Sequence, residues 1–270
     1  MTIDADLSGR TAIVTGASSG IGRAIAERMG AAGAHVILSG RTADAMADSA
    51  ARITDAGGRA TGVVGDVREP SAIDELVATA LAADGHLDIF VNNAGVSFLG
   101  GVLDGPVDEW REMLEINVLS LLVGTTAAVA AMREVGNRGH IVNVSSVAAL
   151  RPDSGVYGAT KHAVNVITNS LREELLDDPI QVVSIMPGLV ATNIGRNADP
   201  ELLAGIVAMS GIEVEIVPGE RLPDDVLEAA LAVLADIMIT PDDVADAVLY
   251  AVTQPAHVHI PEIVIRPNKN

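Results

Sequence analysis

The 270-residue chain contains no cysteine, so disulfides and thiolate chemistry are excluded, and nothing ties the protein to an oxidising compartment. Aromatic residues are nearly as scarce. Two Phe, two Tyr and one Trp leave the core to be built from Ala, Val, Leu and Ile. Positive charge is thin as well: 17 Lys and Arg face 36 Asp and Glu, a formal charge of −19 that no basic cluster offsets. A surface of that sign repels nucleic acid and anionic membranes, so neither is expected as a partner. The longest apolar run, around Val118–Met132, is interrupted by Ser, Gly and Thr and falls short of the ~20 residues that a membrane span needs. The first ten residues, MTIDADLSGR, have neither the basic nor the apolar region of a signal peptide, and a cytoplasmic protein is the expectation.

About half of the residues are apolar, 49%, enough for a large buried core. Short β-branched runs at Thr11–Gly16, His35–Gly40, Ala60–Val67, Leu87–Gly95, His140–Ser146, Ile180–Gly188 and Pro261–Pro267 alternate with helical patterns. The helical stretches reach Ala31 and Ile53, then cover Ser71–Ala83, Val107–Val135 and Val156–Leu176. That alternation predicts an α/β fold of βαβ units, with a parallel sheet buried on both faces by helices. No linker or repeat divides the chain, so residues 1–270 are expected to form one domain. The stretch 191–240 breaks the rhythm, with helical patterns near Pro200–Met209 and Asp224–Ile237 around a short extended VEIV. It follows a strand end, where open α/β sheets bind ligands, and reads as a helical lid over a substrate pocket.

TGASSGIG, Thr15–Gly22, directly follows the first strand and opens the first helix, the context that a dinucleotide fingerprint requires. Gly16 suits the tight turn, Gly20 lets backbone approach a pyrophosphate, and Gly22 allows close helix–sheet packing. The helix N-terminus adds free N–H groups and positive potential. Where NAD binders place an Asp or Glu for the ribose hydroxyls, this chain has Gly40 followed by Arg41. Arg pairs with a 2′-phosphate that a carboxylate would repel, so NADP is favoured. NAD, with Asp44 on the ribose, is the alternative. Asp66 stands after the third strand, either to hold the adenine amino group or to cap a helix.

The two tyrosines are Tyr157 and Tyr250, and the two lysines are Lys161 and Lys269. Tyr157 and Lys161 stand four residues apart on a helical stretch and so share a face. A free phenol, with a pKa near ~10, is a poor base at neutral pH. A nearby ammonium together with a cationic nicotinamide would lower it, and Lys also reaches ribose hydroxyls as a compact donor. Ser146, at the preceding strand end, can donate to a carbonyl or alkoxide oxygen. Asn117, an amide inside the apolar LEINVLSLLV, could hold a water that passes protons toward Lys161.

These motifs together resemble the short-chain dehydrogenase/reductase family in its single-domain branch. The matching segments are TGASSGIG, GDV at Gly65–Val67, NNAG at Asn92–Gly95, Asn117, NVSS before YGATK, and PGLVAT at Pro187–Thr192. They span nearly the whole chain, Leu7 to Pro267. The resemblance implies a Rossmann-type, doubly wound sheet, a nicotinamide cofactor and an Asn117–Ser146–Tyr157–Lys161 tetrad. It also implies that Ser18, Ser19, Ile21, Val67, Asn93, Ala94, Gly95, Pro187, Gly188, Val190 and Thr192 line the cofactor. The Gly40–Arg41 pair resembles NADP-dependent members, and the C-terminal segment resembles bacterial NADP-dependent reductases of hydroxy acids and small ketones. Two departures stand out. The loop between serine and tyrosine is about two residues short, which keeps Ser145 as a second candidate hydroxyl, and the lid is long.

The expected reaction is reversible hydride transfer between a nicotinamide and a small, largely apolar ketone, aldehyde or secondary alcohol. The expected pocket walls are Val96, Phe98, Leu150, Val156, Met186, Leu189 and Ile194, with Met209 beside them and Arg151 or Asp153 at the mouth. Nucleotide-sugar epimerases share this kind of fold but add a larger C-terminal region that this chain lacks room for. A catalytically silent dinucleotide sensor is the non-enzymatic rival. Six scattered His residues give no metal site. Because the family pairs helices like Val118–Val135 and Val156–Leu176 between subunits, a homodimer or homotetramer is expected.

Overall fold

A computed structural model of the chain describes residues 5–98, 102–103, 105–136, 138–192 and 237–268, with single positions between 204 and 232. Seven parallel strands form one sheet: β1 (Thr11–Val14), β2 (His35–Gly40), β3 (Arg59–Val64), β4 (Ile89–Asn92), β5 (Gly139–Val144), β6 (Ile180–Pro187) and β7 (Glu262–Ile265). Their order is β3-β2-β1-β4-β5-β6-β7. The chain winds outward from β1 to β3 and then returns to place β4 on the other side of β1. This Rossmann-type reversal leaves a crevice above the ends of β1 and β4. Register pairs Ile13 with Phe90 across that boundary and Gly40 with Val64 between β2 and β3.

Strand residues alternate between two buried layers. Ala12, Val14, Val36, Leu38, Ile89 and Val91 pack with helices α1 (Gly20–Ala31), α2 (Ala43–Asp55) and α7 (Pro241–Val252). Ile13, Ile37, Phe90 and Ile141 pack on the opposite face with α3 (Pro70–Asp84) and α5 (Ser120–Val135). Full burial on both faces explains why these strands read as continuous apolar runs rather than alternating ones.

The expected long helix over Val107–Val135 is three pieces: α4 (Val107–Leu114), a π turn (Glu115–Leu119) and α5. Among the described residues this is the one helical run long and apolar enough to cross a membrane, at 29 residues, and half of its apolar window is buried inside the protein. Leu121, Ala128, Val129 and Met132 carry that burial, so it is a core helix. A polar chain sews the centre together. Asn92 Nδ2 donates to Thr125 Oγ1 and to Asn143 Oδ1, both at 2.9 Å. Asn143 Nδ2 then donates to Thr168 Oγ1 on α6 (Gly155–Glu174), at 2.9 Å. Buried amides are tolerated because each has a partner.

Candidate active site

A cleft of about 560 Å³ opens where β1 and β4 diverge. Its floor is made by two loops locked to each other. The Thr15 hydroxyl accepts the N–H groups of Asn93 and Ala94, at 3.0 and 3.1 Å, and donates to Val91 O at 3.1 Å. Asn93 Nδ2 donates back to Thr15 O at 2.8 Å. Gly16 turns the chain with φ +66°, and a Cβ there would lie 2.9 Å from the Ala94 backbone. A Cβ on Gly22 would stand 2.4 Å from both Gly16 O and Asn93 Nδ2. Side chains are excluded at both places by contact with backbone, which fixes the entry to α1. The Ser49 hydroxyl holds Ala17 O at 3.0 Å, and Arg23 Nη2 holds Ser18 O at 2.6 Å. The N-cap of α1, Ser19, makes no side-chain cap bond, so the first N–H groups of this 12-residue helix are left for an anion. Thr192 closes the far wall, its Cγ2 only 3.1 Å from where a Gly20 Cβ would be. A bare backbone cradle beside a helix N-terminus fits the pyrophosphate of a dinucleotide.

Farther along the cleft, the Gly65 N–H donates to Gly40 O at 2.9 Å, which sets Arg41 and Asp66 next to one another above the ends of β2 and β3. Arg41 is exposed. The Asp66 carboxylate is gripped by Arg68, whose Nε lies 3.0 Å from both oxygens and whose Nη2 lies 2.6 Å from Oδ2. That hydrogen bonding lowers the Asp66 pKa, against the opposing effect of burial, and the field of Arg41 adds to it. The helix-cap alternative for Asp66 does not hold, because Glu69 occupies the N-cap of α3.

At the other end, β5 leads through Ser145 and Ser146 into a 3-10 turn (Val147–Leu150) and then α6. The two serines do different work. Ser145, buried, donates to Lys161 O at 3.1 Å and ties strand to helix. Ser146 caps the turn, accepting Ala148 N–H at 3.1 Å, and is hydrogen-bonded to Tyr157. Lys161 is 4% exposed, donates Nζ to Val144 O at 2.9 Å, and sits 6.0 Å from the centre of the Tyr157 ring. Burial lowers its pKa to about 8. Burial also raises the Tyr157 pKa, opposed by the Ser146 hydrogen bond. The sequence leads one to expect an acidic phenol beside the amine. Here desolvation of the phenol dominates, and the amine is turned to the Val144 main-chain carbonyl.

Asn117 lies in the π turn. Its amide accepts Val96 N–H and donates to Val96 O, both at 2.9 Å, and also donates to Thr160 Oγ1 at 3.0 Å. Thr160 in turn donates to Tyr157 O at 2.7 Å. The amide thus braces the loop after β4 against the first turn of α6. π turns concentrate at functional sites, and this one sets an amide behind the cleft wall: Ile116 lines the cleft, while Asn117, 2% exposed, does not.

A family model described as short chain dehydrogenase matches residues 10–202. The chain belongs to the short-chain dehydrogenase family. It is 34% identical over 264 residues to an uncharacterized oxidoreductase of Staphylococcus haemolyticus, covering 97% of this chain and 99% of that one. Among solved structures it is similar to a metagenomic short-chain oxidoreductase in complex with NADP, at 31% identity and a TM-score of 0.74, over 98% and 99% of the two chains. It is also similar to a short-chain type dehydrogenase/reductase from Mycobacterium marinum, at 28% identity and a TM-score of 0.78, over 97% and 95%. The protein is therefore an oxidoreductase with an NAD(P)-binding fold.

In this dehydrogenase all of the cofactor residues named from the sequence line the one cleft: Gly16, Ser18, Ser19, Gly20, Ile21, Gly22, Gly40, Arg41, Asp66, Val67, Asn93, Ala94, Gly95, Tyr157, Lys161, Pro187, Gly188, Val190 and Thr192. Of the pocket walls, Val96, Ser146, Tyr157 and Leu189 line it. Four others do not. Met186 is buried within β6, at 1% exposure, and Leu150 faces outward, at 54%. Phe98 and Val156 pack instead against Val96, Met113 and Ile116 in a small apolar cluster of their own. Ile194, Met209 and the two lid helices lie outside the described residues. The sequence reading missed Ser97, Val147, Ala148 and Ser154 on the wall, and it left Arg151 and Asp153 undecided. All six line the cleft, with Arg151 Nη2 2.8 Å from Asp153 Oδ2. For five of them the available signal was their place in the short stretch between Ser146 and Tyr157, and for Ser97 it was its place next to Val96.

Proposed function

We propose that the protein is an NADP-dependent reductase of small ketones or aldehydes, running in reverse as a secondary-alcohol dehydrogenase. The observation that carries this reading is the convergence of Ser146, Tyr157 and Lys161 on one cleft, with the buried Lys161 amine one helical turn from the Tyr157 ring. The glycine loop Gly16–Gly22 and Asn93–Gly95 would hold a nicotinamide dinucleotide along the cleft, which would supply hydride for reduction and accept it in oxidation. Ser146 holds the substrate oxygen and Tyr157 moves the proton to or from it. Lys161 holds the ribose end of the site and exchanges protons near neutral pH, and Asn117, with a water, completes the proton path.

Arg41 supports NADP over NAD. It is exposed at the cleft wall, followed by the Thr42 N-cap, whose side chain makes no cap bond, while Asp44 does not line the cleft. The pocket combines apolar Val96, Val147, Ala148 and Leu189 with polar Ser97, Arg151, Asp153 and Ser154, which suits a modest-sized substrate with some polarity. Exposed Leu119, Leu122 and Val166 on the outer helices support assembly into a homodimer or homotetramer.

The test is a panel of ketones and alcohols, each tried with both cofactors and followed by reduced-nicotinamide absorbance. NADPH-dependent ketone reduction is expected, and Tyr157→Phe should lower kcat at least about a hundredfold. A dinucleotide sensor would show no turnover to lose, and would keep its ligand response in that variant.

A further inference from the structure

Register brings an anion problem to the adenosine end of the cleft. β2 and β3 run in parallel, with Gly40 opposite Val64 and the Gly65 N–H on Gly40 O, so Arg41 and Asp66 leave adjacent strand ends side by side. Both line the cleft. A phosphate drawn to Arg41 therefore enters the field of the Asp66 carboxylate, and like charges at such range repel strongly where water is partly excluded. Removing Asp66 would cost the cleft an acceptor. The chain keeps the acceptor and cancels its charge. Arg68 Nε and Nη2 form a fork on both carboxylate oxygens, and the Arg68 N–H donates to Oδ1 at 3.0 Å. The carboxylate is 24% exposed and the guanidinium 38%. Arg68 does not line the cleft, so its contact with the cleft runs through Asp66, while Glu112 and Glu115 also act on it from the neighbouring helical segment.

We propose that Arg68 is a positioning residue for cofactor selectivity: by neutralising Asp66, it lets the 2′-phosphate of NADP sit on Arg41 while Asp66 still accepts from the adenine. The inference rests on the NADP reading above. A purely structural Arg68 would act alike on both cofactors, whereas charge compensation acts on the phosphorylated one. The effect also depends on Asp66 carrying its charge.

The experiment is equilibrium titration of the full chain with NADPH and NADH at low salt, where exposed charges are least screened. The variants are Arg68→Met, Arg68→Lys, Asp66→Asn and the Asp66→Asn/Arg68→Met double variant. Arg68→Met should weaken NADPH about tenfold while NADH changes less than about twofold, and Arg68→Lys should restore most of the loss. In the Asp66→Asn background, Arg68→Met should leave the NADPH/NADH ratio unchanged. Equal weakening of both cofactors by Arg68→Met, or a selectivity loss that persists without the Asp66 charge, overturns the role of Arg68 and leaves the NADP reading standing. A wild-type protein that binds NADH more tightly than NADPH overturns the cofactor reading itself, and this role with it.

Discussion

Burying Lys161 takes an ammonium out of water and gives it the Val144 carbonyl as acceptor. Its pKa falls from 10.5 to about 8. The folded value is depressed, so between pH 8 and 10.5 the unfolded chain binds the proton more tightly, and folding gains stability as pH rises through that window. Below it the penalty is present in full, at most about 3 kcal/mol. Lys161→Met removes that penalty and gives up one hydrogen bond worth about 1 kcal/mol. The variant should unfold at the same temperature as the wild type or higher at pH 7, while reductase turnover drops at least about a hundredfold. Calorimetry beside steady-state rates checks both, and a marked fall in Tm would mean that the amine stabilises the fold. The wild-type kcat/KM for reduction should decline as pH rises through about 8 and the ammonium is lost. The Tyr–Lys pair was legible in the sequence because the chain has so few of either residue. That the amine turns to Val144 was not, because that carbonyl comes from a strand 17 residues earlier.

At the scale of elements, the described strands were legible as short apolar runs; burial on both faces produces these runs in β1, β2, β4, β5 and β6, while the edge strands β3 and β7 stay partly exposed. The π turn was not legible, since EINVL has the same apolar character as the helices on either side. Helix α7 was passed over, although TPDD spells its start: Thr240 and Asp243 form a reciprocal capping box with Pro241 at the first position. The junction that aims Tyr157 depends on a glycine that the motif alone does not explain. A Cβ on Gly158 would lie 2.3 Å from Ser154 Cβ and 3.0 Å from Ala148 O, so α6 presses directly on the turn that follows Ser146. Gly158→Ala should push the first turn of α6 outward and lower kcat by about tenfold or more, since small misplacements of catalytic groups are costly. Adding Ser154→Gly removes the nearer clash and should recover much of the rate. If Gly158→Ala leaves kcat intact, the helix is not held at the distance that this contact implies.

The whole molecule is acidic, yet its acid sensitivity is set in part by a base. His140 is the second residue of β5, at the end of the sheet away from the cleft, and is 3% exposed. Burial pushes its pKa from 6.5 down to about 4, and the fields of Arg10, Arg138 and His259 push the same way. A depressed histidine means that the unfolded chain takes up the proton first. The stability is fully present above pH 6.5 and drains away as pH falls toward 4, a loss reaching about 3 kcal/mol. Asp84, hydrogen-bonded to His35, Arg59 and Thr11 and lowered to about 2, adds the same sign of dependence further down, between 3.8 and 2. Composition displays the net charge, but which of six histidines are buried, His35 and His140, is visible only once the sheet is assembled. Denaturant unfolding at pH 7 and at pH 4.5 separates the two contributions, because Asp84 is still ionised at the lower value. The wild type should lose most of the histidine term over that interval. His140→Gln, which keeps a polar side chain but cannot titrate, should show a clearly flatter dependence, and an unchanged slope in that variant would remove His140 as the cause.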